Sequence, residues 1–306
     1  MDIESLLLVD KPKGWTSHDV VDFLRQLTGW KKVGHFGSLD PLATGLLLLG
    51  IGRATRLFPF LSRQPKVYQG IIRLGLATDT YDADGKPISL PSSHLPTENK
   101  LKEIIKSFEG EIEQLPPPFS AKKHKGKPLY QLARKGQPVL RKPVKVRIYE
   151  FQIISYRPPD LSFLIACSSG TYIRSLAHDL GQIAGCGAHL AQLVRLAIGP
   201  FRLEKAFSPA QIEEYFKKGQ IYSLLCPLEM ILENLSKAIL TEKINLPLAR
   251  GRAIPPHFIK VILPPTQEIL TYEEEKVIRL FSFEGRFLGL ARQATKPGYL
   301  IPFLLI

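Results

Sequence analysis

Residues 34–45, GHFGSLDPLATG, place one carboxylate, Asp40, among three glycines, a histidine and a proline. Glycine tolerates positive φ and close backbone contacts, while Pro41 fixes its own φ and disfavours helical backbone angles at Asp40. The stretch therefore predicts a rigid loop that holds Asp40 in one orientation, as a catalytic carboxylate requires. The same spacing also fits a helix start, with Asp40 as N-cap and Pro41 as the first helical residue. The pattern alone leaves both interpretations open.

Length and composition indicate a globular protein of more than one domain. The 306 residues exceed the usual size of a single domain, so about two domains are expected. The 44% hydrophobic content supports a core, and the 25 prolines and 23 glycines show no period. The N-terminus lacks a signal-peptide pattern, and no stretch approaches the roughly 18 apolar residues of a membrane helix. We expect a cytoplasmic protein without a membrane partner.

The cysteines and histidines do not predict a metal site. Cys167, Cys186 and Cys226 lack CxxC spacing, and the seven histidines show no HExxH pattern, so disulfides and zinc are disfavoured. Asp82 and Asp84 in DADG could suggest a metal loop, but the further ligands of an EF-hand are missing and an Asx turn is the simpler interpretation. We expect no metal, no cofactor and a monomeric chain.

The charge distribution favours a nucleic-acid partner. Forty-one basic residues stand against 28 acidic ones, a formal net charge of +13. Phe119 and Tyr130 interleave with a basic run that combines phosphate neutralisation with stacking surface, and Lys122, Lys123 and Lys125 are candidate RNA-binding residues. A soluble basic loop without a ligand is the alternative. The run from residue 121 to 149 has no acid and contains ten basic side chains: Lys122, Lys123, Lys125, Lys127, Arg134, Lys135, Arg141, Lys142, Lys145 and Arg147.

Hydrophobic periodicity predicts helices and strands around the motifs. One helix begins at Ser17 as N-cap and ends at Gly29, a second spans residues 97–110, and a third begins just after Gly170. Alternation predicts strands over VYQGIIRLGL, from Val144 and over LSFLIAC, with Tyr68 on a strand face. Residues 278–283 and 286–291 flank Glu284-Gly285 and predict a β-hairpin. The helical stripes are Val20, Val21, Leu24 and Leu27; Leu101, Ile104, Ile105 and Phe108; and Ile173, Leu176, Leu180 and Ile183.

Two polar side chains are further candidates for a functional site. Arg174 falls in the first turn of the third helix, where free N–H groups and the helix dipole favour anions. Its guanidinium could hold a phosphate or a carboxylate bidentately, or form an ordinary surface ion pair. His35 could occupy the space in a base stack that a nucleotide leaves, or be a structural histidine.

Four motifs in this order resemble the TruB family of tRNA pseudouridine synthases. They are KPKGWTS (residues 11–17), the Asp40 loop, RLGLATDTYDADG (residues 73–85) and SSGTYIRSLAHDLG (residues 168–181). The resemblance implies the α+β pseudouridine synthase fold, a mainly antiparallel mixed sheet with flanking helices, in a catalytic domain over residues 1–230. The hairpin EGRFLGLA is similar to a PUA domain, which implies a small RNA-binding β-barrel over residues 235–306. A generic β-extension packed on the core is the alternative.

The resemblance also implies roles for individual residues. Asp40 matches the catalytic residue of a family that converts uridine 55 in the TΨC loop of tRNA to pseudouridine. Lys11 matches a segment that mainly braces the catalytic loop. LVRL at residues 193–196 has one arginine where the family often has two, and Lys122 replaces a usual hydrophobic residue. The other implied roles are base stacking for Tyr68, pairing with Asp40 for Arg174, the apolar wall of the uracil pocket for Leu193, packing into the tRNA for His35, and organisation of the site for Asp82.

A base-flipping reaction follows from these roles. A uridine stacked in a folded loop must flip to reach a buried carboxylate, at a cost of roughly a few kcal/mol. Stacking on Tyr68, at about 1–3 kcal/mol, can offset much of this cost. Asp40 would then act as nucleophile or base towards the sugar or the uracil. Two other classes stay open: a non-catalytic RNA-binding or tRNA-folding protein, and a guide-RNA-dependent synthase of the dyskerin type.

Overall fold

A large mixed β-sheet forms the centre of the computed structural model, which describes residues 3–118, 123–124, 127–128, 142–226, 232, 235–241, 253–264 and 277–306. Its strands lie in the order β1-β3-β10-β4-β9-β8-β5, with β2 also paired to β3 and β11 to β10. Only the β3–β10 pair among them is parallel, which confirms the predicted mainly antiparallel mixed sheet. Among the described residues, the large sheet contains β1 (Ser5–Lys11), β2 (Val33–His35), β3 (Thr44–Ile51), β4 (Lys66–Leu74), β5 (Gly110–Gln114), β8 (Val144–Arg157), β9 (Asp160–Cys167), β10 (Ala188–Ile198) and β11 (Phe201–Arg202). The short strands β6 (Lys123–His124) and β7 (Lys127–Pro128) pair with each other.

The helices begin and end near the predicted residues. The first is capped by Thr16 rather than Ser17, because the Thr16 hydroxyl accepts from the Asp19 N–H and the Asp19 carboxylate accepts from the Thr16 N–H. Gly29 ends this helix with a left-handed φ of 73°, as predicted. The α-helices in the described ranges are α1 (Ser17–Thr28), α2 (Phe58–Leu61), α3 (Glu98–Ser107), α4 (Ile173–Ile183) and α5 (Pro209–Lys217).

The loop around Asp40 leads into a strand and not into a helix. The Asp40 carbonyl accepts a hydrogen bond of 3.1 Å from the Ala43 N–H, which closes a turn with Pro41 at its second position. Strand β3 follows at once, so the interpretation of Asp40 as a helix cap is wrong. Gly45 has a φ of +96°, and a Cβ there would lie 2.5 Å from the carbonyl oxygen of Arg195. Glycine is therefore required where β3 meets β10.

The helices α3 and α4 pack on one face of the sheet. The predicted stripe of α3 is buried, and on α4 Ile173, Leu176 and Leu180 are buried while Ile183 is 55% exposed. Alternation along β4 buries Tyr68, Ile72 and Leu74, as predicted. Tyr68 and Leu193 belong to the same core cluster, so the candidate base pocket is continuous with the packed interior.

A second sheet follows near the C-terminus. It contains β12 (Ser236–Leu240), β13 (Ile259–Leu263), β14 (Val277–Phe281), β15 (Phe287–Gln293) and β16 (Leu300–Leu305), in the order β13-β12-β14-β15-β16. The antiparallel pair β14 and β15 confirms the predicted hairpin, although its strands end at Phe281 and begin at Phe287. Among the described residues this sheet is open rather than closed, and the predicted barrel stays a prediction.

The two sheets share an apolar core. Phe281, Phe287, Leu290 and Ile306 of the second sheet and its C-terminus cluster with Leu6 and Leu8 of β1, Leu46 and Leu48 of β3, and Leu57. Phe60 also packs against Phe303, with ring centroids 5.6 Å apart. The region after residue 235 therefore completes the core of the region before it.

Deletion of residues 235–306 should destabilise the remaining protein. Each large apolar side chain that loses its cover costs roughly 1.5–3 kcal/mol, so the melting temperature should fall by about 10 °C or more. Differential scanning calorimetry measures this change, with Ile262→Ala as the control because that side chain is 44% exposed and outside the shared cluster. A deletion variant that melts like the full chain would show that the shared cluster contributes little.

Candidate active site

The Asp40 side chain lines a cavity of about 250 Å³, which lies between the loop, strands β4 and β10, and the start of α4. Four residues that the sequence predicted for the site meet here: Asp40, Tyr68, Arg174 and Leu193. The cavity thus combines a carboxylate and a guanidinium with an aromatic ring and an aliphatic wall. The complete lining is Gly37, Ser38, Leu39, Asp40, Ser62, Lys66, Tyr68, Gly170, Thr171, Tyr172, Ile173, Arg174, Leu193 and Arg195.

Arg174 holds the Asp40 carboxylate through two nitrogens. Its Nε lies 2.9 Å from Asp40 Oδ2, and its Nη2 donates to Asp40 Oδ1 at 3.1 Å. The Arg174 side chain is only 7% exposed whereas that of Asp40 is 45% exposed. The fixed guanidinium therefore orients a carboxylate that a ligand in the cavity can reach.

Arg174 also connects Asp40 to a second, buried carboxylate. Its Nη1 lies 3.4 Å from Asp82 Oδ2 and donates to the Thr80 carbonyl at 3.1 Å. Asp82 Oδ1 accepts from the Thr80 hydroxyl and from the Asp84 N–H, which confirms the predicted Asx turn. Burial raises the pKa of Asp82, while the Thr80 hydrogen bond and the Arg174 charge oppose this rise. Asp82 thus positions the guanidinium from the side away from Asp40.

Tyr68 and Leu193 supply apolar surface to the cavity. They lie on neighbouring antiparallel strands, where Leu193 pairs with Gly70 and Tyr68 pairs with Arg195. Their exposed fractions are 8% and 7%, and burial raises the pKa of the Tyr68 hydroxyl. A flat base entering the cavity would find an aromatic ring and an aliphatic side chain next to the Asp40–Arg174 pair.

Arg195 is a site residue that the sequence reasoning missed. It is 1% exposed, and its guanidinium donates to the carbonyls of Gly37 (3.1 Å) and Ser38 (3.2 Å) in the Asp40 loop and of Leu46 (2.7 Å) in β3. A single planar guanidinium thereby joins both ends of the loop to β10 by hydrogen bonds. The available signal was its position two residues after Leu193, which places both side chains on the same face of a strand.

The KPKGWTS segment braces the loop from its other side. The Gly14 N–H donates to the Pro41 carbonyl at 2.8 Å, and the Ser17 hydroxyl accepts from the Leu39 N–H at 2.8 Å. Lys11 is fully buried and donates to the carbonyls of Pro12 and Trp15 at 2.9 and 2.6 Å. Burial lowers the pKa of Lys11 to about 8, although the Asp40 charge opposes this shift. Lys11 has no exposed surface with which to contact RNA.

The remaining candidates either do not line the cavity or are not described by the structure. His35 is on β2 and does not line the cavity, and burial together with the Arg195 charge lowers its pKa. Lys122 and Lys125 lie outside the described residues, as do Phe119 and Tyr130. Lys123 lies in β6, but its side chain is not described. The RNA-binding role of this basic run stays a prediction.

In the described ranges, no three His, Cys, Asp or Glu side chains come together in a way that could hold a metal ion. Within the same ranges, every helix is too short or too polar to cross a bilayer.

Family models match most of the chain. The model described as TruB family pseudouridylate synthase (N terminal domain) matches residues 25–173, and that of the tRNA pseudouridylate synthase B C-terminal domain matches residues 174–233. The tRNA pseudouridine synthase B of Geotalea uraniireducens is 38% identical over 97% of this chain and 93% of its own length. The protein of the same name from Aquifex aeolicus is 36% identical over 99% of this chain and 100% of its own.

Solved structures agree at the level of the fold. A structure of an H/ACA RNP bound to a substrate RNA containing 2'-deoxyuridine has a chain that superposes with a TM-score of 0.73 at 22% identity, covering 99% of this chain and 84% of that one. A chain of a Cbf5-Nop10-Gar1 complex gives a TM-score of 0.73 at 25% identity, with coverage of 99% and 84%. The predicted pseudouridine synthase fold is thereby confirmed. With the sequence matches to relatives over nearly their full length, the chain belongs to the TruB family of pseudouridylate synthases.

Proposed function

We propose that this protein isomerises uridine 55 in the TΨC loop of tRNA to pseudouridine, with Asp40 as the catalytic residue. The observation that carries the proposal is the bidentate Asp40–Arg174 pair, held in one cavity with Tyr68 and Leu193. Relatives at 36–48% identity carry the name tRNA pseudouridine synthase B, which supports tRNA as the substrate. Position 55 follows from the family resemblance of the four motifs.

The target uridine must leave its stack to reach Asp40. Flipping a nucleotide costs roughly a few kcal/mol, and stacking on an aromatic side chain returns about 1–3 kcal/mol. Tyr68, an aromatic residue of the cavity lining, would make this contact, and Leu193 would form the apolar side of the cavity. The uracil ring therefore exchanges base stacking in the loop for contact with these two side chains.

The reaction is a redox-neutral exchange of bonds. The bond between N1 and the sugar C1' breaks, a bond between C5 and C1' forms, and the C5 hydrogen leaves as a proton while N1 gains one. Arg174 keeps a negative charge on Asp40 oriented towards the cavity, so the carboxylate can attack the sugar or the base, or accept a proton. This exchange of bonds and protons needs no cofactor, and we propose none.

The basic run should supply salt-dependent affinity for tRNA, because each phosphate contact releases condensed counterions. Replacement of Lys122, Lys123 and Lys125 with alanine should weaken tRNA binding and flatten the plot of log K against log salt concentration. Filter binding at several salt concentrations measures both. An unchanged slope would remove this run from the interface.

We also propose that residues 235–306 form a PUA-like RNA-binding module next to a catalytic domain of residues 1–230. Two hydrogen bonds between Ile254 and Leu300 join the segment before β13 to β16, at the opposite edge of the second sheet, which favours a barrel-like arrangement. His35 would pack into the tRNA near the flipped base. The protein would act as a monomer in the cytoplasm.

Guide-RNA dependence is the alternative that the fold comparison keeps open. One similar solved chain belongs to an H/ACA RNP, but an identity of 22% supports the shared fold alone. The purified chain should therefore act on tRNA without a second RNA. Activity that appears only when a guide RNA is added would favour the alternative.

Tritium release tests the proposed function. A tRNA transcript labelled with tritium at C5 of every uridine should release label equivalent to one uridine per molecule when incubated with pure protein, a chelator and no added nucleotide. A labelled transcript with cytidine at position 55 is the control and should release none. Equal release from both transcripts would contradict the proposed site of action.

A further inference from the structure

Lys66 is a buried cation in the cavity wall without an acidic partner in the described ranges. It is the first residue of β4, lies on the same face as Tyr68 two residues later, and is 5% exposed. One of its three N–H donors reaches the Ser62 carbonyl, and no ion pair joins it to any acid that the structure describes. Burying an unpaired ammonium is costly, so such a group normally has a specific ligand.

No other charged side chain of the cavity neutralises the positive charge of Lys66. Asp40 is paired with Arg174, and Arg174 also contacts Asp82. Arg195 adds a further positive charge, and its guanidinium is directed to backbone carbonyls of the Asp40 loop. The wall formed by Lys66 and Arg195 is therefore positive, and an anion would be favoured beside it.

We propose that Lys66 binds a backbone phosphate of RNA next to the uridine that enters the cavity, with the Ser62 hydroxyl as a second donor. A nucleotide cannot enter without its flanking phosphates, and a phosphate neutralises the ammonium whereas a neutral uracil carbonyl does not. Ser62 lines the same cavity, is half-buried, and has no hydroxyl hydrogen bond to the described residues. A phosphate contact positions the nucleotide without reading its base. The proposal rests on the proposed function only in that an RNA nucleotide occupies the cavity.

The protonation of Lys66 should be coupled to RNA binding. Burial, and then repulsion by Arg195, lowers the pKa of Lys66 to about 7. Burial raises the pKa of the neighbouring Cys167 to about 12 and also raises the pKa of the Tyr68 hydroxyl, so both groups stay neutral near pH 8. Arg195 is the other basic side chain that acts on Lys66. A bound phosphate favours the ammonium form, so binding takes up a proton and the contribution of Lys66 falls as pH rises from about 7 to 9.

The test compares Lys66→Met with wild type in binding a T stem-loop RNA that already carries pseudouridine at the target position, so that no turnover occurs. Three RNAs are used: one unmodified in its backbone, and two with a neutral methylphosphonate on the 5' or the 3' side of the target nucleotide. The control variant is Lys217→Met, since Lys217 is 71% exposed in a pair with Glu213 on α5. Its loss removes one positive charge outside the cavity.

Lys66→Met should bind the charged RNA about 10-fold or more weakly than wild type, whereas Lys217→Met should change affinity little. On one of the two methylphosphonate RNAs, wild type and Lys66→Met should bind equally. The difference on the charged RNA should also shrink between pH 7 and 9. Unchanged affinity of Lys66→Met for the charged RNA would overturn the proposal. So would a loss that persists on both neutralised RNAs, because Lys66 would then contact the base or sugar.

Thermal unfolding separates this result from misfolding. Because the pKa of Lys66 is lowered from 10.5 to about 7 in the folded state, the unfolded chain binds more protons between these values. Titration of Lys66 therefore raises the free energy of unfolding of the RNA-free protein as pH rises from about 7 to 10.5. Lys66→Met should be at least as stable as wild type at pH 7. Tritium release from the labelled transcript is measured independently, so a failure of this proposal leaves the proposed function intact.

Discussion

Asp40→Asn should lower the rate of tritium release by about 10³-fold or more while changing tRNA affinity much less. The substitution keeps the size of the side chain but removes its charge, its nucleophilicity and its ability to accept a proton. The Asp40 side chain is 45% exposed, and the asparagine Oδ1 can still accept the hydrogen bond from Arg174, so the fold should be retained. Tyr68, Leu193 and the basic run remain to bind RNA. Single-turnover tritium release and filter binding measure the two quantities.

Asp160→Asn is the matched control for Asp40→Asn. Asp160 also forms a bidentate pair with an arginine, since its two oxygens lie 2.7 and 2.8 Å from Nε and Nη2 of Arg73. That pair is partly exposed and does not line the cavity. Asp160→Asn should release tritium at nearly the wild-type rate. Near-normal release by folded Asp40→Asn would show that Asp40 only shapes its loop.

Arg174→Met should lower the rate on the order of 10²-fold, because it removes a preorganised charge that orients Asp40. The variant also leaves Asp40 and Asp82 without the cation that lies between them. Arg174 opposes the rise in the pKa of Asp82, so this carboxyl should take up a proton more readily when Arg174 is removed. The free energy of unfolding of Arg174→Met should consequently fall more steeply than that of wild type as pH rises through the raised pKa of Asp82, because the folded variant holds a proton that the unfolded chain releases.

The exposed partner of Asp160 gives the control for this second prediction. Arg73→Met also breaks an arginine–carboxylate pair, but an exposed one, and exposed pairs contribute only about 0–1 kcal/mol. Its rate of tritium release should follow that of wild type. A normal rate for Arg174→Met would mean that Asp40 does not depend on the guanidinium.

The sequence was sufficient to predict the residues that face one another across the cavity. The Asp40 loop and the helix that carries Arg174 each follow from local signals, namely glycine and proline positions and a 3.6-residue stripe. Strand alternation placed Tyr68 on a buried face. Their convergence was expected from the family resemblance, because Asp40 and Arg174 are 134 positions apart and no local signal brings them together.

The residues that sequence reasoning missed depend on long-range pairing. Arg195 and Lys66 are basic residues, which usually face solvent, although each shares its strand face with an apolar residue of the cavity. Their burial follows from the strand order β3-β10-β4-β9, which places neighbours on both sides of β4 and β10. The core shared by β1, β3 and the second sheet was anticipated only in the alternative of a β-extension packed on the core. The first cap was also predicted one residue too late, although the spacing of Thr16 and Asp19 was a local capping-box signal; the Ser17 hydroxyl instead bonds to Leu39.

Mapping pseudouridine at nucleotide resolution tests the central claim most directly. Pure protein is incubated with an unmodified tRNA transcript and no other RNA, and every uridine is then examined by pseudouridine-specific chemical modification and reverse transcription. We predict stoichiometric pseudouridine at position 55 with wild type and with Asp160→Asn, and none with Asp40→Asn. Pseudouridine at other positions with uridine 55 unchanged, or modification of position 55 by Asp40→Asn, would contradict the assignment of this cavity and of Asp40.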